Sequence, residues 1–291
     1  RGGMGAMSEA LAQSARDLGV EIRTGAGVDK ILVENGVAKG VVTEAGDEFR
    51  ARVVFSSADP KRTFLGFLER DHLEDEFRRS IAAMDYSSAT FKLNLALSKL
   101  PDFTALPGST AGPQHRGTIH ISPDMAFIDR AYHDALGGRP SRKPVLECTI
   151  PSVVDDSLAP EGHHTMGMFV QYAPFELADG EWDDAEKNAF ATSCIDLFEE
   201  YAPGFKDSIV GIDPVSPLDL EREFGLTGGN IFHGAMTPSQ LYFMRPVGEC
   251  SGYATPLSGL YLCGAGSHPG GGVIGSCGRN AAREAMKRRA C

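Results

Sequence analysis

Near the start of the chain, apolar residues recur at steps of three and four. They are Met4, Met7, Leu11, Ala15 and Leu18. This spacing places all five on one face of a helix, and glycine is the residue type that commonly follows a helix end. The sequence therefore predicts a helix that begins after a glycine-rich turn and ends at Gly19.

Alternation of apolar and polar residues then predicts strands. A short strand is expected over 20–24, where the sequence reads VEIRT. Asn35-Gly36 separates two β-rich runs and favours a two-residue hairpin, because both turn positions need positive φ. A third strand is expected after a turn at 45–47. The first sixty residues therefore predict a helix, a strand and a three-stranded meander.

After residue 60 the pattern changes to longer mixed elements, which we interpret as a second domain inserted into the first. Helices are predicted over 74–84 and 183–201, and strands over 90–98, 118–122, 145–150 and 165–172. Connections rich in proline and glycine favour surface loops between them. We expect one domain made of residues 1–60 and 245–291, with residues 61–244 as an inserted mixed-sheet α+β domain.

Composition argues against two broad classes of protein. Lys and Arg total 28 against 39 Asp and Glu, a net charge of −11, whereas a general nucleic-acid binder presents a basic surface. No apolar run approaches the roughly 18–20 residues that cross a bilayer. We therefore expect neither nucleic acid as a partner nor a membrane span.

Cysteine and histidine spacing argues against metal and dithiol chemistry. The six cysteines are Cys148, Cys194, Cys250, Cys263, Cys277 and Cys291, and no two form a C-x-x-C pair. Buried free thiols suit a reducing compartment, so we expect a cytoplasmic protein, or one of the mitochondrial matrix if the source is eukaryotic. His163 and His164 would face opposite ways on a strand, so no metal site is predicted.

The segment GLYLCGAGSHPGGGVIGSCGRNAA, residues 259–282, is the most unusual stretch. Its apolar start predicts a buried strand, and its seven glycines over 264–278 lead into a predicted helix. The free N–H groups of that helix start would favour an electron-rich ligand, but a tight turn packed against a strand would need similar glycines. The spacing matches neither a strand followed directly by G-x-G-x-x-G nor a phosphate-binding P-loop.

This segment resembles the C-terminal flavin-contacting motif of the phytoene desaturase-like branch of the amine-oxidase flavoproteins. The opening stretch GGMGAMSEALAQSARDLGVEIRTGAGVDKI resembles the return of the chain to the FAD domain in that family. EYAPGFKDSIVG, DLEREFGLTGGNIFHGAM and QLYFMRPV resemble, more narrowly, the group of pyridine nucleotide-disulphide oxidoreductase domain-containing proteins. The resemblance implies an α/β fold, the C-terminal portion of a two-domain FAD/NAD(P)-binding flavoprotein. FAD would then be bound by 1–60 with 245–291, and the substrate by 61–244.

The resemblance also implies which residues hold FAD. The backbone of Val28 would bind the adenine. Gly264, Ala265 and Gly266 would lie along the ribityl-pyrophosphate, and Gly271, Gly272 and Val273 would offer N–H groups to the flavin N1–C2 carbonyl edge. A helix N-terminus suits that edge because reduced flavin is negatively charged there.

One part of the family pattern is not found in this sequence. The initial strand and its G-x-G-x-x-G phosphate cradle do not precede the helix that starts near Arg1. From this we expect a C-terminal half of the flavoprotein, which alone would be inactive and bind FAD weakly. A missing N-terminal half or a second copy would be its partner.

Five polar residues are candidates for direct roles, each with a structural alternative. His268 would accept a proton during substrate oxidation or brace the glycine turn. His233, with Asn230, would line the substrate pocket or be a satisfied structural group. Tyr242 and Arg245 would orient a polar substrate end, unless Arg245 ties the domains together.

Two functions remain open from the sequence. The first is an FAD-dependent oxidoreductase of desaturase or dehydrogenase type, which passes hydride from a small-molecule substrate to flavin N5. Apolar polyenes, amines and hydroxy compounds all remain candidate substrates, because a fold does not select one chemistry. The second is a non-catalytic scaffold or regulatory protein that retains the flavoenzyme fold.

Overall fold

The computed structural model describes residues 1–288, so Cys291 and the last three positions of the predicted 245–291 segment lie outside it. The helices are α1 Gly3–Asp17, α2 Asp75–Ala82, α3 Pro113–Arg116, α4 Met125–Leu136, α5 Asp184–Glu199, α6 Pro217–Phe224 and α7 Ser276–Lys287. The strands are β1 Val28–Glu34, β2 Val37–Thr43, β3 Glu48–Arg50, β4 Val54–Ser56, β5 Phe91–Leu97, β6 Ile119–Ile121, β7 Val145–Thr149, β8 His164–Gln171, β9 Ile209–Val215 and β10 Leu260–Leu262. Among residues 1–288, no helix is both long enough and apolar enough to cross a membrane.

Contacts divide the chain into two units. The first combines Arg1–Ile22 with Ser88–Leu220, and the second combines Arg23–Ser87 with the chain from Glu221 onward. These boundaries differ from the predicted 1–60, 61–244 and 245–291. The difference has a physical cause in each unit, described below, whereas the assignment of FAD binding to one unit remains a prediction.

The first unit is built on a five-stranded sheet in the order β6-β7-β8-β5-β9. All four strand pairs are antiparallel, so this sheet is not a mixed one. Alternate side chains of β5, from Phe91 to Leu97, enter a core that includes Phe190 and Phe198 of α5. The opposite side of β5 carries Lys92, which is half-buried, and Asn94 and Ala96, which are exposed.

Helix α1 belongs to this first unit because its start is bonded to the 155–157 turn. The Gly3 N–H donates to the Asp155 carboxylate at 3.1 Å, and the Gly2 N–H donates to the Ser157 hydroxyl at 2.9 Å. The Ser157 hydroxyl in turn donates to the Asp155 carboxylate at 2.5 Å, and this bond, with a smaller contribution from the Gly3 N–H, lowers the pKa of Asp155 to about 2. The apolar stripe of α1 is nevertheless exposed, and none of its residues is buried.

The second unit contains the meander β1-β2-β3 and the parallel pair β10-β4. Its core joins Ile31 of β1 and Leu260 of β10 with Phe77 and Ile81 of α2. This shared core places residues 61–87 with the flanking segments rather than with the predicted insertion. Val28 and Gly266 lie in this same unit.

Most predicted elements are confirmed, with one clear error. The helix near the start, the Asn35-Gly36 hairpin, the predicted strands after it and the helix after the glycines all form. The strand predicted over 20–24 does not form, because its alternating residues remain exposed and pair with no strand of the described chain. Helices α3, α4 and α6 and strand β9 were not predicted.

Candidate functional site

The first glycines of the 264–278 segment are pressed against the chain that follows β4. A side chain on Gly264 would place its Cβ 2.3 Å from the Ser57 carbonyl oxygen. A side chain on Gly266 would place its Cβ 2.5 Å from the Pro60 ring. Both distances are far shorter than van der Waals contact. Packing inside the unit is therefore sufficient to require glycine at these two positions.

The later glycines face open space instead. Apart from chain neighbours and the backbone of α7 itself, no described atom lies within 4 Å of the Cβ position at Gly275 or Gly278, and that at Gly272 meets only the Ile274 side chain at 3.9 Å. Gly272 and Gly275 also have φ values of 118° and 65°, which favour glycine. Space at several neighbouring positions is what a close-fitting ligand would need.

This open part of the segment ends at the N-terminus of α7. Gly275, the residue before the helix, provides no side-chain cap for the first-turn N–H groups. These groups border a cleft of about 180 Å³ whose walls include Cys263, Ala265 and Val273. A cleft that combines uncapped helix N–H groups with a positive helix end suits an electron-rich or anionic group.

Arg245 is completely buried and braces the glycine segment. Its Nε and one Nη donate to the Ala265 carbonyl at 3.1 and 2.9 Å, and its other Nη donates to the Gln240 carbonyl at 3.2 Å. The Phe232 carbonyl accepts a further bond. The guanidinium is thus fully engaged with the backbone of its own unit. In this structure it supports loops, and it is not exposed to orient a substrate.

Asn230 likewise supports a loop rather than lining a pocket. Its side-chain amide donates to the Ser87 carbonyl at 2.7 Å and accepts from the N–H groups of Phe232 and Gly234 at 3.0 and 3.3 Å. These bonds hold the turn in which His233 has a φ of 60°. Asn230 therefore holds the position of His233, and its predicted contact with a substrate stays a prediction.

His233 lies in the wall of a second cleft, of about 510 Å³, in the same unit. Val28, Ser57 and Asp59 also line this cleft. Its Nδ1 is buried without a hydrogen-bond partner among the described residues. Burial lowers the pKa of His233, and Arg245 lowers it further against the opposing effect of Asp59. The imidazole is therefore neutral near pH 7 and has one ring nitrogen available.

Asp59 is a residue of this cleft that the sequence analysis missed. It is buried, and its carboxylate accepts from the Tyr86 hydroxyl at 2.9 Å, the Arg62 N–H at 3.1 Å and the Thr227 hydroxyl at 2.7 Å. Burial, together with this carboxylate, raises the pKa of Tyr86. Asp59 lies shortly after β4, at the carboxyl end of a strand in a parallel pair, and that position is a signal that could have identified it.

His268 and Tyr242 remain on the open side of the glycine segment. Their rings lie 5.9 Å apart, and Tyr242 is largely exposed. The His268 carbonyl accepts from the Tyr253 hydroxyl at 2.7 Å, whereas no bond of its ring is formed within the described chain. The backbone of His268 therefore braces the turn while its imidazole is left available.

The site has features that a flavin would use. Within residues 1–288, no three His, Cys, Asp or Glu side chains are grouped to hold a metal ion. Besides His233 Nδ1, the buried Ser267 hydroxyl has no partner among these residues. Two unpartnered polar atoms, open glycines and an uncapped helix start fit a planar cofactor with several acceptors and donors.

Comparison with known proteins decides the family. Residues 1–286 match the family described as flavin containing amine oxidoreductase. The chain belongs to that family. The predicted resemblance to amine-oxidase flavoproteins is thereby confirmed.

The rat protein named pyridine nucleotide-disulfide oxidoreductase domain-containing protein 2 is 48% identical over 288 residues, which cover 97% of this chain and 50% of that protein. The lycopene-forming phytoene desaturase of Pantoea ananas is 26% identical and covers 96% of this chain and 53% of its own length. The chain therefore spans about half the length of these curated relatives.

A solved oxidoreductase from Methanosarcina mazei has the same fold as this chain. The TM-score is 0.62 at 19% identity, over 96% of this chain and 53% of the solved one. This likeness and the family match confirm the predicted α/β flavoprotein fold class.

Proposed function

We propose that this chain is part of an FAD-dependent oxidoreductase of the desaturase or dehydrogenase type. The observation that carries the proposal is the division of the glycine segment into a packed first part and an open second part that ends at α7. Positive φ explains glycine at Gly272 and Gly275, but neither packing nor positive φ explains the open space at Gly278. Family membership supports the flavin, and FAD is the flavin that the sequence resemblance implies.

The residues that would hold FAD are those that the sequence resemblance implies and that border the two clefts. Val28 lines the larger cleft, and Gly264, Ala265, Gly271 and Val273 line the smaller one. Gly266 supports the segment by packing, and Gly272 leaves space beside them. Bound FAD would supply a hydride acceptor at its N5 atom, which is the chemistry that amino-acid side chains lack.

The chain's own contribution to the reaction would be orientation and proton transfer. Substrate oxidation releases a proton as well as a hydride, and a neutral imidazole is a suitable acceptor near pH 7. His233, with its available Nδ1, and His268, with its unengaged ring, are the candidates. Tyr242 would contact the substrate from its exposed position, whereas Asn230 and Arg245 would act by holding the loops.

The test is a flavin absorption spectrum of the complete protein, purified with FAD present, together with a calorimetric titration of this chain with FAD. We expect flavin absorption in the complete protein and one saturable FAD site. The chain spans about half the length of its relatives. The FAD affinity of this chain is therefore compared with that of the complete protein. No flavin bound to the complete protein would contradict the proposal and favour the non-catalytic scaffold.

A further inference from the structure

The first unit has an open sheet face with a distinct arrangement of side chains. Strand register places Lys92 of β5 beside Phe169 of β8, and in the next row Asn94 beside Gly167. The third row pairs Ala96 with Thr165 on one side and with Gly211 on the other. Since directly paired residues share a face, these side chains all project from the same side of the sheet.

Small residues make a trough on this face. Gly167, Ala96 and Gly211 carry little or no side chain, and the space above them is a cleft of about 560 Å³. Pro151 adds an apolar wall. Ligand sites in proteins are commonly clefts of roughly 300–1,000 Å³ with apolar walls and few polar groups. The trough has that size and that character.

Lys92 is the cation in this trough. Its Nζ lies 2.9 Å from the position that a Cβ on residue 167 would occupy, so Gly167 provides the room for the ammonium group. Within the described chain the ammonium makes no hydrogen bond and no ion pair. Burial lowers the pKa of Lys92 below the ordinary lysine value, against smaller opposing effects of Cys148 and Glu147. A half-buried, unpaired ammonium is unfavourable unless an anion compensates it.

Thr165 supplies a second unsatisfied group in the same trough. Its backbone N–H donates to the Ser152 hydroxyl at 3.0 Å, but its own Oγ1 is buried with no partner among residues 1–288. A buried hydroxyl without a partner is rare in folded proteins. A hydroxyl donor and an ammonium donor on neighbouring strands are a pair that one polar ligand end can satisfy.

The acidic groups on this face do not neutralise Lys92. Asp213 of β9 accepts from the Asn94 amide at 3.1 Å, and Glu147 of β7 is separated from Lys92 in its row by Phe169. His120 of β6 ends the same row. The positive charge therefore stays available, and the acidic groups on either side would disfavour a ligand with more than one negative charge.

We propose that this trough is a binding site for an apolar molecule with a single carboxylate, held by Lys92 and Thr165. Binding at this trough needs no flavin. An ammonium and a hydroxyl provide donors for the two carboxylate oxygens. Aliphatic carbons would lie over the small residues, where they lose contact with water.

The test compares octanoate with octanamide, which has the same length and shape but no charge. Calorimetric titration of the flavin-free chain should show octanoate binding about tenfold more tightly than octanamide, as expected for a charge-assisted hydrogen bond replacing a neutral one. Octanoate affinity should also fall as pH rises through the lowered pKa of Lys92, because the ammonium loses its proton. The octanamide affinity should not change over that range.

Matched variants identify the responsible residue. Lys92→Met should abolish the preference for octanoate, and Lys99→Met, which removes the same charge from an exposed position of the unit, should leave it unchanged. Ala96→Leu keeps Lys92 and fills the trough, so it should weaken the binding of both octanoate and octanamide. This variant tests the trough even if Lys92→Met fails to fold. Equal affinities in the parent chain, binding of neither probe, or a preference that survives Lys92→Met would overturn the proposal. Flavin content is measured separately, so loss of the proposed function would not be confused with these outcomes.

Discussion

The two parts of the glycine segment differ in what surrounds them. At Gly264 and Gly266 the neighbours are Ser57 and Pro60, close enough to exclude any side chain. From Gly271 onward, the positions border a cleft and meet little or nothing within 4 Å. One run of glycines therefore combines packing of the fold and positive φ, as at Gly272 and Gly275, with space beside the backbone. Only the space beside the backbone is evidence for a ligand.

The largest effect is expected from a side chain in the packed part. Gly264→Val would place its Cβ against the Ser57 carbonyl, where both partners are backbone and cannot move aside separately. We expect more than about 4 kcal/mol loss of unfolding free energy, in the range reserved for severe overpacking. Urea unfolding followed by circular dichroism measures the loss.

The matched control for this prediction is Gly278→Ala in the open part. Gly278 is inside α7 with free space at its Cβ position, so alanine should be neutral or add up to about 1 kcal/mol through helix propensity. If Gly264→Val unfolded at the same urea concentration as the parent chain, the packing explanation for the first glycines would be wrong.

A larger side chain in the open part should affect the cofactor rather than the fold. Gly278→Leu would extend into the smaller cleft, and we expect FAD affinity to fall by about tenfold or more, with stability equal to that of the parent or up to about 1 kcal/mol higher through helix propensity. Gly272→Val should also lose flavin, but its φ of 118° adds backbone strain, so its result is less specific.

The control for Gly278→Leu is Gly5→Leu. Gly5 also lies in a helix, α1, with free space around its Cβ position, but it is remote in sequence from the glycine segment. It should leave FAD affinity unchanged. Unchanged affinity in both variants would show that the smaller cleft is not where the flavin lies.

Local patterns predicted most of the elements because their causes are local. Asn35-Gly36 fixes a hairpin through its own backbone angles, and alternation along β5 predicts its buried face. Helix α4 was missed although Asp124, which caps its first turn, and Gly137, which follows its end, are both recognisable signals. The strand expected at 20–24 shows the opposite failure, a good pattern without a partner.

The site was only partly predictable because its roles depend on distant contacts. Asp59 and Thr227 are bonded across a sequence separation of 168 residues, and no short motif records that pairing. Arg245 has the sequence appearance of an anion-binding residue, yet four donated bonds to backbone carbonyls occupy it. The resemblance located the glycine segment, but only the structure separated its packed glycines from its open ones.

The smallest effect should come from Ser267, which lies between the two parts of the segment. Its hydroxyl is buried without a partner among the described residues, so Ser267→Ala should cost nothing without flavin and could add about 1 kcal/mol of stability. Ser56→Ala is the control, because the Ser56 hydroxyl bonds Thr63 at 2.7 Å and its loss should destabilise the same unit by about 1 kcal/mol.

Without FAD, Ser267→Ala should be at least as stable as the parent chain. If the Ser267 hydroxyl belongs to the open part, the parent chain should become the more stable of the two when FAD is bound. The parent chain would gain a hydrogen bond on binding that Ser267→Ala cannot form, so the variant should bind FAD several-fold more weakly although it is at least as stable alone. Thermal unfolding of both proteins with and without FAD provides the measurement. An identical FAD-induced shift in the two proteins would assign Ser267 to the packed part, and the boundary between packing and cofactor contact would then lie after residue 267.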